Sequence, residues 1–293
     1  MIKPQEDLFI TDFHKYFKEN GLNEKVIELF QKFIYDYYKN HKRKFPFREK
    51  ITPYNILISE IMLQQTQTSR VSEKFLKFIK KFPDFLSLSN ASTEEVLKEW
   101  KGLGYNRRAI ALKEIAQRVI NDFNGELPDS IDTLQSFPQI GYNTASSILT
   151  FAFNIPTVFI ETNVRRVYIF FFFPNKKKIN DKEILPIVEK TIDKNNPREW
   201  YYALMDYGVM LKKKFPDLGR KSIHYKKQSA FEGSNRQIRG KILKMMIKNQ
   251  VITKSKIIDK FKNLSSGRIN SILSQLEKEG FIIIEEDHVK FVK

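Results

Sequence analysis

Two acidic side chains in this sequence stand in settings suited to chemistry. Glu60 lies in "SEIMLQQTQ" (59–67), on a helix-like stretch whose neighbours are mostly apolar. A carboxyl partly removed from water has its pKa raised and can hold a proton near neutrality, as a general acid must. Glu161 opens "IETNVRRV" at the start of another apolar segment, with Asn163 close by. Twenty residues earlier, "FPQIGYNTASSI" (137–148) places Gly141 between an apolar residue and a helix-like run. An apolar–Pro–x–apolar–Gly turn between helices fits a helix-hairpin-helix, in which glycine permits a sharp turn and close backbone approach. Exposed N–H groups at such a turn bind phosphate without reading sequence. An ordinary corner between two helices fits the same residues. "GLGYNRRA" (102–109) sets a tyrosine beside glycines with two arginines behind it, a loop able to engage a duplex.

The elements that must position these groups read as helices. "NEKVIELFQKFIYDYYKN" repeats apolar residues at three and four spacing, and "TPYNILISEIMLQQTQTSRVSEKFLKFIKKF" does likewise, with Thr52 as N-cap and Pro53 in the first turn. "STEEVLKEWKGLGY" begins as a capping box and stops at Gly102 and Gly104. "DSIDTLQSF" is a short helix before the turn. "VYIFFFFP" (167–174) is taken as core packing and is too short to span a bilayer. At "FEGSNRQIRG" (231–240) the texture changes. Three further helices follow, "IRGKILKMMIKNQ", "TKSKIIDKFKN" and "SSGRINSILSQLEKEG", and then a hairpin in "FIIIEEDHVKFVK". Three helices plus a hairpin is the content of a winged helix.

Lys plus Arg is 51 and Asp plus Glu is 34 among 293 residues, a formal charge of +17 that points to a polyanionic partner or an acidic surface. Compositional drift toward lysine accounts for part of the excess. The sequence has no cysteine, so disulfides, zinc thiolates and cysteine-held iron–sulfur clusters are excluded. The N-terminus lacks the layout of a signal peptide. A cytoplasmic, nucleoid-associated protein is expected, without a membrane partner and monomeric.

"PYNILISEIMLQQTQT", "WKGLGYNRRAIAL", "FPQIGYNTA", "IETNVRRV" and "YALMDYGVM" resemble, in order and spacing, segments of MutY-type adenine DNA glycosylases within the helix-hairpin-helix base-excision superfamily. The likeness runs over roughly residues 25–230. It implies a mainly α, two-lobed helix-hairpin-helix glycosylase fold with a small C-terminal winged-helix-like α/β module. The glycosylase domain is expected at 1–232 (lobes 56–159, and 1–55 with 160–232), and the module at 233–293. Such enzymes flip a base from the duplex and cut its glycosidic bond. The resemblance makes Glu60 the acid that protonates adenine, and Glu161 the carboxylate that stabilises the cationic sugar. It places Asn163 near that sugar. It gives Gln65 the role of a wedge in the base stack and Tyr105 that of an aromatic that intercalates. Thr66 and Leu103 share that face, and Phe47, Arg48, Tyr142 and Asn143 border the base pocket. Gln139, Gly141, Thr144, Arg107 and Arg108 are expected at phosphate. The partner implied is double-stranded DNA containing a mismatch or lesion.

Departures from that pattern set expectations of their own. The second acid is Glu161 where the family has aspartate, and one added methylene moves a charge by roughly 1.5 Å, a displacement able to cost about a hundredfold in rate. Lys212 stands where the first cluster ligand would be, so no cofactor is expected beyond a monovalent cation that the hairpin could hold. His224 reads as a packing or phosphate-contacting residue. Gln139 replaces a glycine of the hairpin motif. Asn143 stands where bifunctional relatives have a nucleophilic lysine, so no lyase step is implied. Residues 233–293 read as the winged-helix-like module and not as the Nudix-like domain that recognises 8-oxoguanine in the family, so no strong preference for an 8-oxoguanine partner is expected. The leading expectation is excision of adenine opposite guanine or 8-oxoguanine. The alternatives are a thymine/uracil mismatch glycosylase and a catalytically weak, lesion-binding homologue.

Overall fold

A computed structural model describes residues 4–226, 230–249 and 251–292. Its helices are α1 (Pro4–Asn20), α2 (Glu24–His41), α3 (Pro46–Glu49), α4 (Pro53–Leu63), α5 (Thr68–Lys81), α6 (Phe85–Asn90), α7 (Thr93–Trp100), α8 (Arg107–Asp122), α9 (Ile131–Gln135), α10 (Tyr142–Phe153), α11 (Thr162–Phe172), α12 (Asp181–Thr191) and α13 (Pro197–Lys214). A 3-10 turn, Leu218–Lys221, follows. The C-terminal module runs α14 (Asn235–Asn249), β1 (Val251–Thr253), α15 (Lys254–Lys260), α16 (Ser266–Lys278), β2 (Ile282–Glu285) and β3 (His288–Phe291). Its antiparallel sheet has the order β1-β3-β2.

The chain forms two compact units. One comprises residues 1–45, 129–131 and 141–227; the other comprises 46–128, 132–140 and 228–293. The C-terminal module thus groups with α3–α8, and α14 packs on α7. α10 groups with the terminal segments, although a lobe of 56–159 was expected to contain it.

The first unit is built around an aromatic core. α11 sends Tyr168, Phe171 and Phe172 inward, where Phe30 meets Tyr168, Phe171, Phe172 and Trp200 with ring centroids 5.0–5.6 Å apart. The phenylalanine run is therefore packing, as its composition suggested. Asp206 of α13, 2% exposed, accepts from the Arg43 amide at 2.9 Å and from Arg43 Nε at 2.8 Å, which ties the end of α2 to α13.

The second unit shows where local sequence signals held. Thr52 caps α4 by accepting from the Asn55 amide, with Pro53 in the first turn. Ser92 and Glu95 form the capping box of α7, and Gly102 and Gly104 stop it with φ of +98° and +72°. Ser265 caps α16, and Gly280 ends it with φ +74°. Two features differ from expectation. The stretch 52–82 is broken between α4 and α5, at Gln64–Gln67, without a glycine or proline. β1 joins the expected hairpin as a third strand, too short at three residues to show a period.

The basic segment that follows α13 is held by local contacts. Leu218 is buried, Ile179 bridges to Ser222, and Lys221 Nζ donates to the Pro174 carbonyl at 2.7 Å. His224 is exposed, with Nε2 3.4 Å from Asn180 Oδ1 and 4.0 Å from Asp181 Oδ2. Residues 227–229 of that run lie outside the described residues. Among the described residues, no helix is long and apolar enough to cross a membrane.

Candidate active site

Glu60 sits on α4, where every residue from Tyr54 to Met62 except Glu60 itself is buried. Glu60 is half-buried on a helix whose other buried residues are mostly apolar, with Asn55 and Ser59 the polar exceptions.

The end of α4 is fastened by Arg108. A helix leaves its last carbonyls without partners inside the helix. Here Arg108 Nη1 donates to Ile61 O at 2.8 Å, Met62 O at 3.0 Å and Gln64 O at 2.7 Å. Arg108 Nη2 donates to Thr66 Oγ1 at 3.1 Å, Leu103 O at 3.3 Å and Gly104 O at 3.1 Å. One guanidinium therefore joins turn 64–66 to turn 103–105. It is 3% exposed, and burial pushes its pKa down to about 10, which leaves it charged at neutral pH. Arg108 is not placed to bind phosphate. A buried cation with its donors committed internally is a fastener, and this corrects the role expected for it.

The two joined turns carry Gln65 and Tyr105, both exposed and both left-handed, with φ of +54° and +47°. Non-glycine residues there cost roughly 1–2 kcal/mol each. Backbone held this way clusters at functional sites when the surroundings over-determine it. Trp100 Nε1 supports the second turn by donating to Gly104 O at 3.0 Å. Thr66 is part-buried and accepts from Arg108. The Leu103 side chain, 3% exposed, and the Phe47 side chain, 5% exposed and edge-on to Phe75, are core groups. Neither is presented to a base; their apolarity places them in the interior, which corrects both expectations. Arg48 is part-buried on α3, and Arg107 is exposed with Nε 3.8 Å from Glu279.

The hairpin turn also differs in detail. Gly141 has φ −93° and open space where a Cβ would project, so neither a special dihedral nor a close approach requires glycine there. The left-handed position is Gln139, with φ +62°. Its carbonyl accepts from Gln64 Nε2 at 3.1 Å. Gly141 is the N-cap of α10 and offers no side-chain cap; it is exposed together with Tyr142 and Asn143, while Thr144 is part-buried. No side chain caps the start of α10, and amides at a helix start are groups suited to an anion. Asn143 Nδ2 donates to Ile160 O at 3.4 Å.

Ile160 immediately precedes the second acid. Glu161 is the N-cap of α11. Its Oε2 accepts from the Asn163 amide at 2.7 Å and its Oε1 from Asn163 Nδ2 at 3.1 Å. Asn163 Oδ1 in turn accepts from Arg166 Nη1 at 2.6 Å. Burial lowers the Arg166 pKa, opposed by the charge of Glu161. Both carboxylate oxygens accept hydrogen bonds, at the helix terminus whose dipole favours a negative group. The extra methylene of glutamate is absorbed by curling back onto the second residue of the helix, the amide that a shorter N-cap side chain would reach.

Two residues in this site escaped the sequence reading. Arg166 anchors Asn163. Gly208 of α13 lies under the same turn, where a Cβ would meet Asn163 O at 2.3 Å and Asn163 Cβ at 2.7 Å. A glycine inside the helical pattern "MDYGVM" was the available signal for close packing.

The chain is 37% identical over 188 residues to the adenine DNA glycosylase of Buchnera aphidicola subsp. Baizongia pistaciae, covering 62% of this chain and 53% of that protein. It is 28% identical over 196 residues to the thymine/uracil-DNA glycosylase of Methanothermobacter thermautotrophicus, covering 66% of this chain and 88% of that protein. The chain thus spans about half the length of the adenine DNA glycosylase it matches. Among solved structures it is similar to a thermostable thymine-DNA glycosylase, with TM-score 0.57 and 28% identity over 63% of this chain and 86% of the other. Residues 58–193 match the model of the HhH-GPD superfamily base excision DNA repair proteins.

Proposed function

We propose that the protein is a monofunctional DNA glycosylase that extrudes a mispaired base, adenine foremost, and hydrolyses its glycosidic bond. Adenine is a poor leaving group until N7 is protonated. Glu60 carries that proton and passes it to N7, the glycosidic electron pair departs with the base, and the sugar becomes cationic. Glu161 is the ionised carboxylate that stabilises the cation. Water then adds at the sugar carbon, and the proton it gives up restores the acid. No lysine stands at 143, so no covalent intermediate forms through an amine there. The protein acts as a monomer on mismatched duplex, without an iron–sulfur cluster, for which it has no cysteine.

The observation that carries this reading is the Glu161–Asn163–Arg166 chain. It holds a charged carboxylate at a helix terminus, with the added methylene folded back. That geometry favours a working enzyme over a catalytically silent homologue. The uncapped start of α10 and the strained turns at Gln65 and Tyr105 supply phosphate contact and stack insertion. Similarity to a thymine/uracil-DNA glycosylase over most of that protein's length supports a second reading, removal of thymine or uracil opposite guanine.

Single-turnover base release separates the two. The panel holds adenine opposite guanine, cytosine and 8-oxoguanine, and thymine or uracil opposite guanine. Adenine release from the first set supports the proposal. Release confined to thymine or uracil transfers the chain to the second reading, and binding without release on every duplex overturns both.

A further inference from the structure

In the C-terminal module α16 is the third helix and follows α15 after a short turn, the place that a recognition helix takes in helix-turn-helix folds. The structure turns its one arginine aside. Arg268 donates through Nε to Asn235 Oδ1 at 2.9 Å, and through Nη2 to the same atom and to Gly233 O, both at 2.8 Å. Of the charges left on the exposed side of the helix, Glu277 offsets Lys278. A surface that binds phosphate by charge needs a net positive field, and α16 does not supply one.

The field lies beside it. Lys241, Lys244 and Lys248 are exposed on α14 at three and four spacing, which puts them on one face. Lys260 and Lys262 stand at the end of α15, and Lys101 closes the set from the end of α7. These six lysines line a groove of about 1150 Å³ whose floor includes Ile238 and Phe261. Only Glu232 and Asp259 oppose them in its lining. Among the described residues none of the six forms an ion pair, whereas Lys42, Lys81 and Lys290 elsewhere on the surface do. Lysines accumulated by compositional drift would be scattered; these converge on one concavity and remain unneutralised.

The groove adjoins the turn assigned to the duplex through Lys101. Lys101 immediately precedes Gly102–Tyr105. Arg236, in the first turn of α14, donates to the Tyr105 hydroxyl at 2.8 Å and stacks over its ring at 5.7 Å.

We propose that this lysine-lined groove is a second seat for duplex DNA. It takes the phosphate backbone flanking the base pair met by Tyr105, with no reading of sequence. The proposal rests on turn 102–105 engaging the duplex. In this account the module extends the footprint of the enzyme through α14 and α15.

The test is binding to an intact duplex by fluorescence anisotropy across a salt series. A short mismatched duplex and the same duplex extended on both sides are compared. Each phosphate contact contributes about 0.9 to the slope of log affinity against log salt. The triple variant Lys241→Gln, Lys244→Gln, Lys248→Gln should lower that slope by about 2 to 3 on the extended duplex. On the short duplex it should change little. The matching Lys→Arg triple variant should restore the slope, which separates loss of charge from loss of packing. An unchanged slope on the extended duplex, an equal loss on both lengths, or stronger binding to single strands than to duplex overturns the proposal. Base release plays no part in this readout, so it stands if the glycosylase reading fails. Failure of the Tyr105 turn would show separately, as a Tyr105→Ala variant that binds both duplexes like the wild type.

Discussion

A Cβ placed on Gly208 would lie 2.3 Å from the carbonyl oxygen of Asn163. The neighbour is backbone in the first turn of α11, and real side chains do not approach that closely. Gly208→Ala must therefore push apart α11 and α13 where Glu161 and Asn163 are held. Alanine is favoured over glycine within a helix by about 1 kcal/mol. Overpacking costs typically about 1–3 kcal/mol, and contact with rigid backbone puts this site at the upper end. The variant should lose about 1–2 kcal/mol net in thermal unfolding. Base release should slow by about a hundredfold, because a displacement near 1 Å at a positioned group costs that much. Full activity in a stable variant would show that the contact does not position Glu161.

Arg108→Lys should behave as a structural change. Lysine has three donors on a point charge and cannot reproduce a fork serving turns 64–66 and 103–105. Buried carbonyls left without donors should lower stability by at least about 2 kcal/mol. Affinity for mismatched duplex should fall as both turns loosen, while its salt slope stays unchanged, since Arg108 meets no phosphate in this account. Anisotropy titration at several salt concentrations reads both quantities. A slope reduced by about one would return Arg108 to the phosphate contacts.

Much of this architecture was legible in the sequence, and the exceptions share a cause. Thr52, Ser92 and Ser265 announced their helices because a cap bonds amides two or three residues away, within its own segment. The break after Leu63 was not legible, because the group that ends α4 is Arg108, more than forty residues distant. Gly141 drew attention as the only glycine of the hairpin, yet the left-handed residue is Gln139, a strain that only the surrounding contacts can hold. The roles of Gly208 and Arg166 likewise depend on a neighbouring helix. Local patterns revealed the elements, and long-range contacts decided which residues serve the site.

Gln139→Gly should stabilise the protein modestly. Relief of a left-handed non-glycine residue returns roughly 1–2 kcal/mol, and glycine gives back about 0.5–1 kcal/mol in unfolded-chain entropy. A net gain of about 0.5 kcal/mol is expected in denaturant unfolding, with the bond from Gln64 Nε2 to the residue-139 carbonyl retained. Destabilisation would mean that the Gln139 side chain makes a contact that outweighs its strain.

His14 gives the first unit a pH dependence of defined sign. Burial lowers its pKa below 6.5, opposed by its bond to the Phe170 carbonyl at 3.1 Å. Phe170, Lys214, Asp217 and Lys221 line the same pocket of about 480 Å³. The folded state therefore binds this proton less readily than the unfolded state. The associated stability is complete above pH 6.5 and is lost as pH falls through the lowered value. Thermal unfolding at pH 7.5 and 5.5 should show a smaller drop for His14→Gln than for the wild type. An equal or larger drop in the variant would contradict the assignment.

The central claim is that Glu60 supplies the proton that lets adenine leave. Single-turnover release from an adenine mispair, measured with saturating wild-type enzyme and with Glu60→Gln, tests it most directly. The account predicts that the variant binds the duplex as tightly as the wild type and releases adenine at least about a hundredfold more slowly, the scale on which a positioned general acid acts. Adenine release at the wild-type rate by the glutamine variant would contradict it.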